Sequence, residues 1–104
     1  MSASSDAFLA VADPTRRALL DRLRHRSAPV RELAAGFAVS RPAISKHLRV
    51  LREAQLVACK RVGRLQVYTV RPEKLRNVAQ WVEGYRRFWE INLTSLKNHL
   101  ERRP

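Results

Sequence analysis

The sequence predicts a mainly α-helical domain with one small β-hairpin, a winged helix-turn-helix that forms a homodimer. Three observations lead to this fold class. Short helical segments precede a helix with a basic leading end, a β-branched stretch is split by Gly63-Arg64, and a long amphipathic helix follows. At 104 residues the chain has room for one domain, which we place at 1–104.

A first helix is predicted over residues 4–12. Ser4 or Ser5 can cap it, because a serine hydroxyl accepts a hydrogen bond from a free N–H of the first turn. Phe8 and Val11 recur at helical spacing, so we expect them on the apolar side of this segment.

The next two helices are predicted from their caps and breakers. Asp13 is a favoured cap for the second helix, and Pro14 suits its first position, where the missing N–H costs nothing. A short third helix spans 29–37 and is stopped by Gly36. The predicted buried faces of these two helices consist of Ala18, Leu19, Leu23, Val30, Leu33 and Ala34.

The fourth helix begins after Ser40, whose side chain caps it, and Pro42 is tolerated in its first turn. Its inward face repeats at i, i+4 and i+7, with Ile44, Leu48 and Leu51. Its outward face and leading end carry Arg41, Pro42, Ser45, Lys46 and Arg49. Two short helices, a tight turn and such a helix make a helix-turn-helix, whose second helix enters the major groove of double-stranded DNA.

A β-hairpin is predicted for residues 56–71, which are rich in β-branched and aromatic side chains. Gly63 at the first central position of a two-residue loop suits a type II′ turn. The resulting pairs are Cys59 with Tyr68 and Val62 with Leu65. The side chains left near the tip are Arg61, Arg64 and Gln66. A hairpin with a basic tip after a helix-turn-helix is a wing.

One long helix is predicted from Glu73 onward, with Gly84 as the point where it would loosen. Its apolar stripe covers roughly 140° of arc, more than packing on one neighbour requires. The extra width predicts a dimer formed through residues 4–12 and 73–103; the alternative is a helix buried entirely in its own domain. The predicted interface residues are Phe8, Val11, Trp81, Tyr85, Phe88, Trp89 and Leu96.

The chain is strongly basic, and the charge is unevenly distributed. It has 21 Lys and Arg against 9 Asp and Glu, a formal net charge of +12. Residues 40–76 hold ten basic and two acidic side chains, so a net charge of +8 lies in this segment. Such a concentration indicates a polyanionic partner such as nucleic acid, and the alternative is a merely solvated face.

Composition disfavours several classes of protein. No apolar run approaches the roughly 18 residues of a membrane span, and the first residues lack a signal peptide's basic start, so we expect a cytoplasmic protein that binds no membrane. A single cysteine forms no internal disulfide and no multi-thiol metal site. No nucleophile–base pair, carboxylate pair or phosphate-binding glycine loop is evident, so we expect neither an enzyme nor a cofactor.

Three stretches carry a wider pattern: "ADPTRRALLDRL" (12–23), "VSRPAISKHLRVLREAQLV" (39–57) and "YRRFWEINLTSLKNHL" (85–100). On these stretches the sequence resembles the ArsR family of winged helix-turn-helix repressors, over nearly its whole length. The resemblance implies a symmetric homodimer that binds a near-palindromic operator and represses transcription, often of its own operon. The third stretch is similar to the autorepressor branch of the family. The sequence lacks the Cys-rich third helix and the paired Asp/His and His/Glu ligands of the family's metal sensors.

The recognition helix supplies the main predicted DNA contacts. Arg41, Ser45, Lys46 and Arg49 are predicted to face base edges, and Pro42, on the same outward side, is predicted to belong to the DNA-binding surface. The resemblance places Ser40 and His47 at family positions that contact the sugar-phosphate chain. The alternatives are capping alone for Ser40 and packing against the wing for His47.

Four further arginines are predicted to contact DNA. Arg61 and Arg64 are expected over the adjacent minor groove, where the negative potential favours arginine. Arg16 and Arg31, at the starts of the second and third helices, are weaker phosphate candidates. Each of the two wing arginines has the alternative of being a solvated turn residue.

The remaining reactive side chains have plainer interpretations. Cys59 is predicted to be a small buried hydrophobe, and His25 and His99 to be surface residues. Two alternatives to a sequence-specific repressor stay open: a non-specific nucleic-acid binder driven by counterion release, and a ligand, metal or redox sensor on the same fold. The sequence identifies no small-molecule effector.

Overall fold

The computed structural model describes residues 3–102, and their side chains from residue 6 onward. It is mainly helical with one small antiparallel sheet, as predicted. In chain order the elements are α1 (Ala3–Ala10), α2 (Pro14–His25), β1 (Ala28–Pro29), α3 (Val30–Ala34), α4 (Arg41–Glu53), β2 (Val57–Val62), β3 (Leu65–Val70), a 3-10 turn (Pro72–Lys74) and α5 (Leu75–Glu101).

The predicted start of the first helix is wrong. α1 begins at Ala3, so Ser4 and Ser5 lie inside it, and their side chains are outside the described residues. The helix ends at Ala10, two residues before the predicted end. Residue 103, the last of the predicted dimer segment, is also outside the described residues.

Side-chain caps set the starts of α2 and α4, as predicted. The carboxylate of Asp13 accepts a hydrogen bond from the backbone N–H of Arg16 at 3.0 Å. The hydroxyl of Ser40 accepts one from the backbone N–H of Ala43 at 3.3 Å. Each helix also has a proline in its first turn, where no N–H is required. Both helix starts therefore follow from local sequence.

The helices pack around one apolar core. Its buried side chains are Ala7, Ala10, Leu19, Leu20, Leu23, Ala28, Leu33, Ile44, Leu48, Leu51, Ala54, Leu56 and Val57. The three inward residues predicted for α4 are all fully buried. On α2, Leu20 joins the core while Ala18 is only half-buried, because this helix is covered by both α4 and β3.

The sheet has three strands rather than the two of the predicted hairpin. Its order is β1-β3-β2, and Ala28 and Pro29 of β1 pair with Tyr68 and Val67. Pro29 is tolerated because β1 is an edge strand, where a missing N–H leaves no ladder bond unmade. A two-residue strand gives no period-2 pattern, which explains why the sequence does not predict it.

α3 is shorter at both ends than the predicted 29–37. Pro29 has an extended conformation, with φ −78° and ψ 164°, so the helix starts one residue later. Gly36 lies beyond the helix end with φ +86°, a conformation that glycine adopts without steric cost. The predicted stop at Gly36 is therefore confirmed as a turn position outside the helix.

Arg22 holds the end of α3 in place. Its Nη1 atom donates to the carbonyl oxygens of Leu33 at 2.7 Å and Ala35 at 2.5 Å. Its guanidinium also stacks over the ring of Phe37, 4.2 Å from the ring centre. The turn between α3 and α4 is thus clamped by a side chain that the sequence analysis did not single out.

The hairpin has the predicted register. Cys59 pairs with Tyr68 and Val62 with Leu65. Gly63 has φ +61°, and among the described non-glycine residues only Gln55 has a positive φ. A positive φ at the first central residue alone is what a type II′ turn requires.

α5 is one long helix, as predicted, but it starts later than predicted and does not loosen at Gly84. The residues from Pro72 to Lys74 form a 3-10 turn, so the α-helix starts at Leu75 rather than Glu73, and it continues through Gly84 without interruption. At 27 residues it is roughly 40 Å long. No helix among residues 3–102 is both long and apolar enough to cross a membrane.

The backbone at Gln55, just beyond the end of α4, is strained, and a substitution should relieve this strain. Gln55 has φ +63° directly after the helix, with its N–H bonded to Arg52 O at 3.0 Å and Leu56 N bonded to Leu51 O at 2.9 Å. This is the Schellman arrangement, in which glycine is preferred. We expect Gln55→Gly to raise the free energy of unfolding by about 1 kcal/mol in urea denaturation. Gln55→Ala should give no such gain, and an equal gain for both variants would contradict the strain.

Candidate nucleic-acid interface

The outward side of α4 forms a continuous polar surface. Burial of its apolar face forces the opposite side outward, and Pro42, Ser45, Lys46 and Arg49 line one shallow groove there. Arg41 is exposed at the leading end of the same helix. The four residues predicted to face base edges, and Pro42 beside them, therefore lie together on an accessible surface. Their contact with bases stays a prediction.

Ser40 can cap α4 and still contact a phosphate. Its Oγ accepts the N–H of Ala43, which leaves the hydroxyl hydrogen available to a second acceptor. The side chain is exposed beside the first turn of the helix. Capping and phosphate contact therefore remain compatible.

His47 contacts the start of α2. Its Nδ1 atom is 3.3 Å from Nη1 of Arg16 and 3.9 Å from Oδ2 of Asp13. The same arginine donates from Nε to Ala10 O at 2.7 Å and from Nη2 to Leu9 O at 3.1 Å. The guanidinium of Arg16 is thus engaged within the chain, so it is less available for the predicted phosphate contact.

Asp13 is held as a carboxylate by its surroundings. The hydrogen bond from the backbone N–H of Arg16 lowers its pKa below the ordinary 3.8, and the nearby His47 and Arg16 side chains lower it further, while partial burial opposes them. A negative charge at this helix N-terminus is also favoured by the helix dipole.

We expect Asp13→Ala to lower the free energy of unfolding by about 1 kcal/mol at neutral pH, because α2 loses its cap. Since folding lowers the pKa of Asp13, the carboxylate stabilises the fold above pH 3.8, and this contribution is lost as the pH falls through the lowered pKa. Urea denaturation should therefore show a difference in unfolding free energy between the parent and Asp13→Ala that disappears in acid. A gap independent of pH would contradict this account.

The wing presents two arginines at its tip. Arg61 and Arg64 are both exposed, and Nε of Arg61 donates to Gly63 O at 3.2 Å. This bond ties the side chain to the turn. Their predicted contact with the minor groove stays untested.

Cys59 is less buried than predicted. The side chain is half-buried, and its thiol donates to Oε1 of Gln66 at 2.8 Å, because the two side chains are diagonal neighbours on one face of the hairpin. Partial burial raises the pKa of Tyr68, and the adjacent Cys59 raises it further. Cys59 is therefore a polar contact at the base of the wing rather than a simple core residue.

The other predicted positions lie on the surface. Arg31 is exposed in the first turn of α3, and His25 and His99 are exposed as predicted. Among the residues whose side chains are described, no three His, Cys, Asp or Glu lie close enough together to hold a metal ion.

A second surface is apolar and lies along α5. Trp81, Tyr85 and Trp89 form a ladder with ring centres 4.9 and 6.2 Å apart, and Phe8 packs edge-on against Trp81 at 5.7 Å. Half or more of the side-chain surface of Trp81 (57%), Phe88 (60%), Trp89 (53%) and Leu96 (54%) is exposed. Phe8 is half-buried, since it contacts α5 within the chain. We call this surface the aromatic stripe; it consists of Trp81, Tyr85, Phe88, Trp89 and Leu96 on α5, with Phe8 packed against it.

The alternative that the last helix is buried within its own domain is wrong. No residue of α5 is buried, and only Leu75 and Val78 pack against the core. Val11, predicted at the same interface, is half-buried and packs on the core of its own domain. The aromatic stripe is therefore left uncovered by the single chain.

The comparisons with known proteins agree on one class. Residues 11–60 match the family model of a helix-turn-helix domain. The chain is 43% identical to the HTH-type transcriptional regulator Rv2034 of Mycobacterium tuberculosis, over 85% of this chain and 79% of the relative. It is 32% identical to the transcriptional repressor SdpR of Bacillus subtilis, over 78% and 90% of the two chains. The crystal structure of the ArsR family transcriptional regulator RHA00566 superposes with a TM-score of 0.74 at 32% identity, covering 86% of this chain and 98% of that one.

Proposed function

This chain belongs to the ArsR family of DNA-binding transcriptional regulators, which are not enzymes, and from that premise we propose that it is a homodimeric repressor of a near-palindromic operator. Its own promoter is the first operator to test, as the autorepressor resemblance implies. We expect the protein to act in the cytoplasm, where its proposed ligand, chromosomal DNA, is located.

The observation that carries the proposal is the outward surface of α4. Three fully buried side chains, Ile44, Leu48 and Leu51, anchor this helix, and its opposite side presents Ser45, Lys46 and Arg49. Arginine and lysine donate to guanine, and serine can pair with several bases. A rigid helix with donors at its leading end supports reading of base edges in a major groove.

The aromatic stripe supports the dimer. Four of the seven aromatic residues of the chain lie between Trp81 and Trp89 on α5, where they are exposed. Monomeric proteins rarely leave a contiguous apolar surface with four large aromatic side chains exposed to water. A second copy is the fitting occupant, because a twofold pair would present two recognition helices, and the two half-sites of such an operator lie about 34 Å apart, one turn of DNA.

A competition experiment tests the sequence specificity. The full chain is bound to labelled DNA from upstream of its own gene, and increasing unlabelled DNA is added. We expect the same upstream fragment to compete at least about 100-fold better than an unrelated duplex of equal length and base composition. Equal competition by the two duplexes would overturn the repressor proposal and leave a non-specific polyanion binder.

A further inference from the structure

Arg16 connects three helices through a single side chain. Its guanidinium donates to the carbonyls of Leu9 and Ala10 at the end of α1, and its Nη1 lies 3.3 Å from Nδ1 of His47 on α4. The residue itself belongs to the first turn of α2. No local sequence pattern reports this contact, because Arg16 and His47 are 31 residues apart.

The chemistry of arginine decides the direction of the hydrogen bond. A guanidinium has only donors, so the contact requires Nδ1 of His47 to be the acceptor. Oδ2 of Asp13 does not form a hydrogen bond with Nδ1, because the two atoms are 3.9 Å apart. A neutral imidazole in this position therefore carries its proton on Nε2.

The Nε2 atom of His47 is accessible. The side chain keeps 23% of its surface exposed. Within residues 6–102, Nε2 has no hydrogen-bond partner. Every fully buried side-chain nitrogen or oxygen in this range has a partner, so Nε2 is not fully buried. The Nε2–H group belongs to α4, one position after Lys46.

We propose that Arg16 is a positioning residue: it fixes His47 as the Nε2–H tautomer and so makes it a hydrogen-bond donor to a DNA phosphate. The inference rests on the proposed function, since it takes α4 as the helix that binds DNA. The end of α1 holds the guanidinium in place, which keeps the imidazole from rotating toward a Nδ1–H form. Without Arg16 the ring would populate both tautomers and other orientations.

Arg17 offers a matched control. It is the neighbouring arginine, is exposed, and donates from Nη1 to the carbonyl of Val11 at 2.8 Å. It therefore also binds a carbonyl just after α1, but the structure gives it no contact with His47. Arg17→Leu removes the same charge and the same type of bond as Arg16→Leu.

The first readout is the tautomer in the free protein. Long-range ¹H–¹⁵N NMR of the imidazole rings is recorded at mildly alkaline pH, where histidines are neutral, with His47 identified by its loss in His47→Gln. We expect a single Nε2–H tautomer in the parent and in Arg17→Leu, and a mixture in Arg16→Leu. Arg16→Lys, which keeps one donor, should recover most of the Nε2–H form. An Nδ1–H ring in the parent, or an unchanged ring in Arg16→Leu, would overturn the proposal.

The second readout is a double-mutant cycle on operator binding. Arg16→Leu and His47→Gln should each weaken binding about tenfold, and the double variant should be no weaker than either. Additive losses would overturn the phosphate role of the positioned ring. The NMR result is independent of DNA, so failure of the parent to bind specifically would count against the proposed function and not against the tautomer.

Discussion

Replacing Trp89 with glutamate is expected to convert the proposed homodimer to monomers and to weaken binding to its operator by at least about 100-fold. Trp89 lies in the aromatic stripe with 53% of its surface exposed in the single chain. In a twofold dimer the substitution would bury an unpaired carboxylate twice, and each costs several kcal/mol. A monomer retains one recognition helix and therefore one half-site. Sedimentation velocity gives the mass, and gel shift gives the affinity.

Ile91 supplies the matched control for this prediction. It is 67% exposed, and at 100° per residue it lies about 160° around the helix from Trp89 and about 60° beyond Phe88, which forms the edge of the aromatic stripe. Ile91→Glu should remain dimeric and bind the operator with nearly unchanged affinity. Dissociation of Ile91→Glu with retention of the Trp89→Glu dimer would place the interface on the other side of α5.

Removing Lys46 and Arg49 together is expected to abolish discrimination between operator and unrelated DNA. Both side chains line the outward groove of α4. Each base-edge contact is worth about 1–3 kcal/mol, and a dimer presents four such side chains. The Lys46→Ala/Arg49→Ala variant should therefore lose more than about 100-fold in specific affinity while its residual binding stays salt-dependent. Competition gel shifts at two salt concentrations measure both quantities.

A charge-matched variant separates base reading from general attraction. Arg87 and Lys97 lie on α5, and both are largely exposed. Nε of Arg87 is 3.9 Å from Oε1 of Glu83, and Nζ of Lys97 is 3.9 Å from Oε1 of Glu101, so both ion pairs are long. Arg87→Ala/Lys97→Ala removes the same two positive charges away from α4. We expect a small and sequence-independent loss in this control. Equal losses in the two double variants would show that net charge, not the α4 surface, drives binding.

The helix and the hairpin of the candidate interface could be predicted because their determinants are local. The cap at Ser40 and the repeat of Ile44, Leu48 and Leu51 orient α4 without reference to the rest of the chain. The hairpin register follows from Gly63, since a two-residue turn determines which residues face each other. The recognition surface and the wing are therefore confirmed in position, while their DNA contacts stay predictions.

The contacts between distant segments could not be predicted. β1 has only two residues, so its pairing with β3 leaves no periodic signal. The contact of Arg16 with His47 depends on how α1, α2 and α4 pack, which no single stretch encodes. The sequence predicts Glu73 in the last helix because the residues of the 3-10 turn Pro72–Lys74 have the same composition as a helix start.

For the aromatic stripe on α5, helical spacing predicts that the face is apolar but not what covers it. Its helical spacing correctly predicts a wide apolar face, and the structure leaves that face exposed. Spacing alone cannot distinguish a face covered by the same chain from one covered by a second copy. Only the packing of α5, with Leu75 and Val78 as its sole core contacts, removes the first alternative.

The most direct test of paired recognition helices is a hydroxyl-radical footprint of the full chain on the best-competing upstream fragment. The account predicts two protected patches on one side of the duplex, related by twofold symmetry and centred about one helical turn, or roughly 10 base pairs, apart. A single patch, or uniform protection that is the same on any sequence, would contradict it.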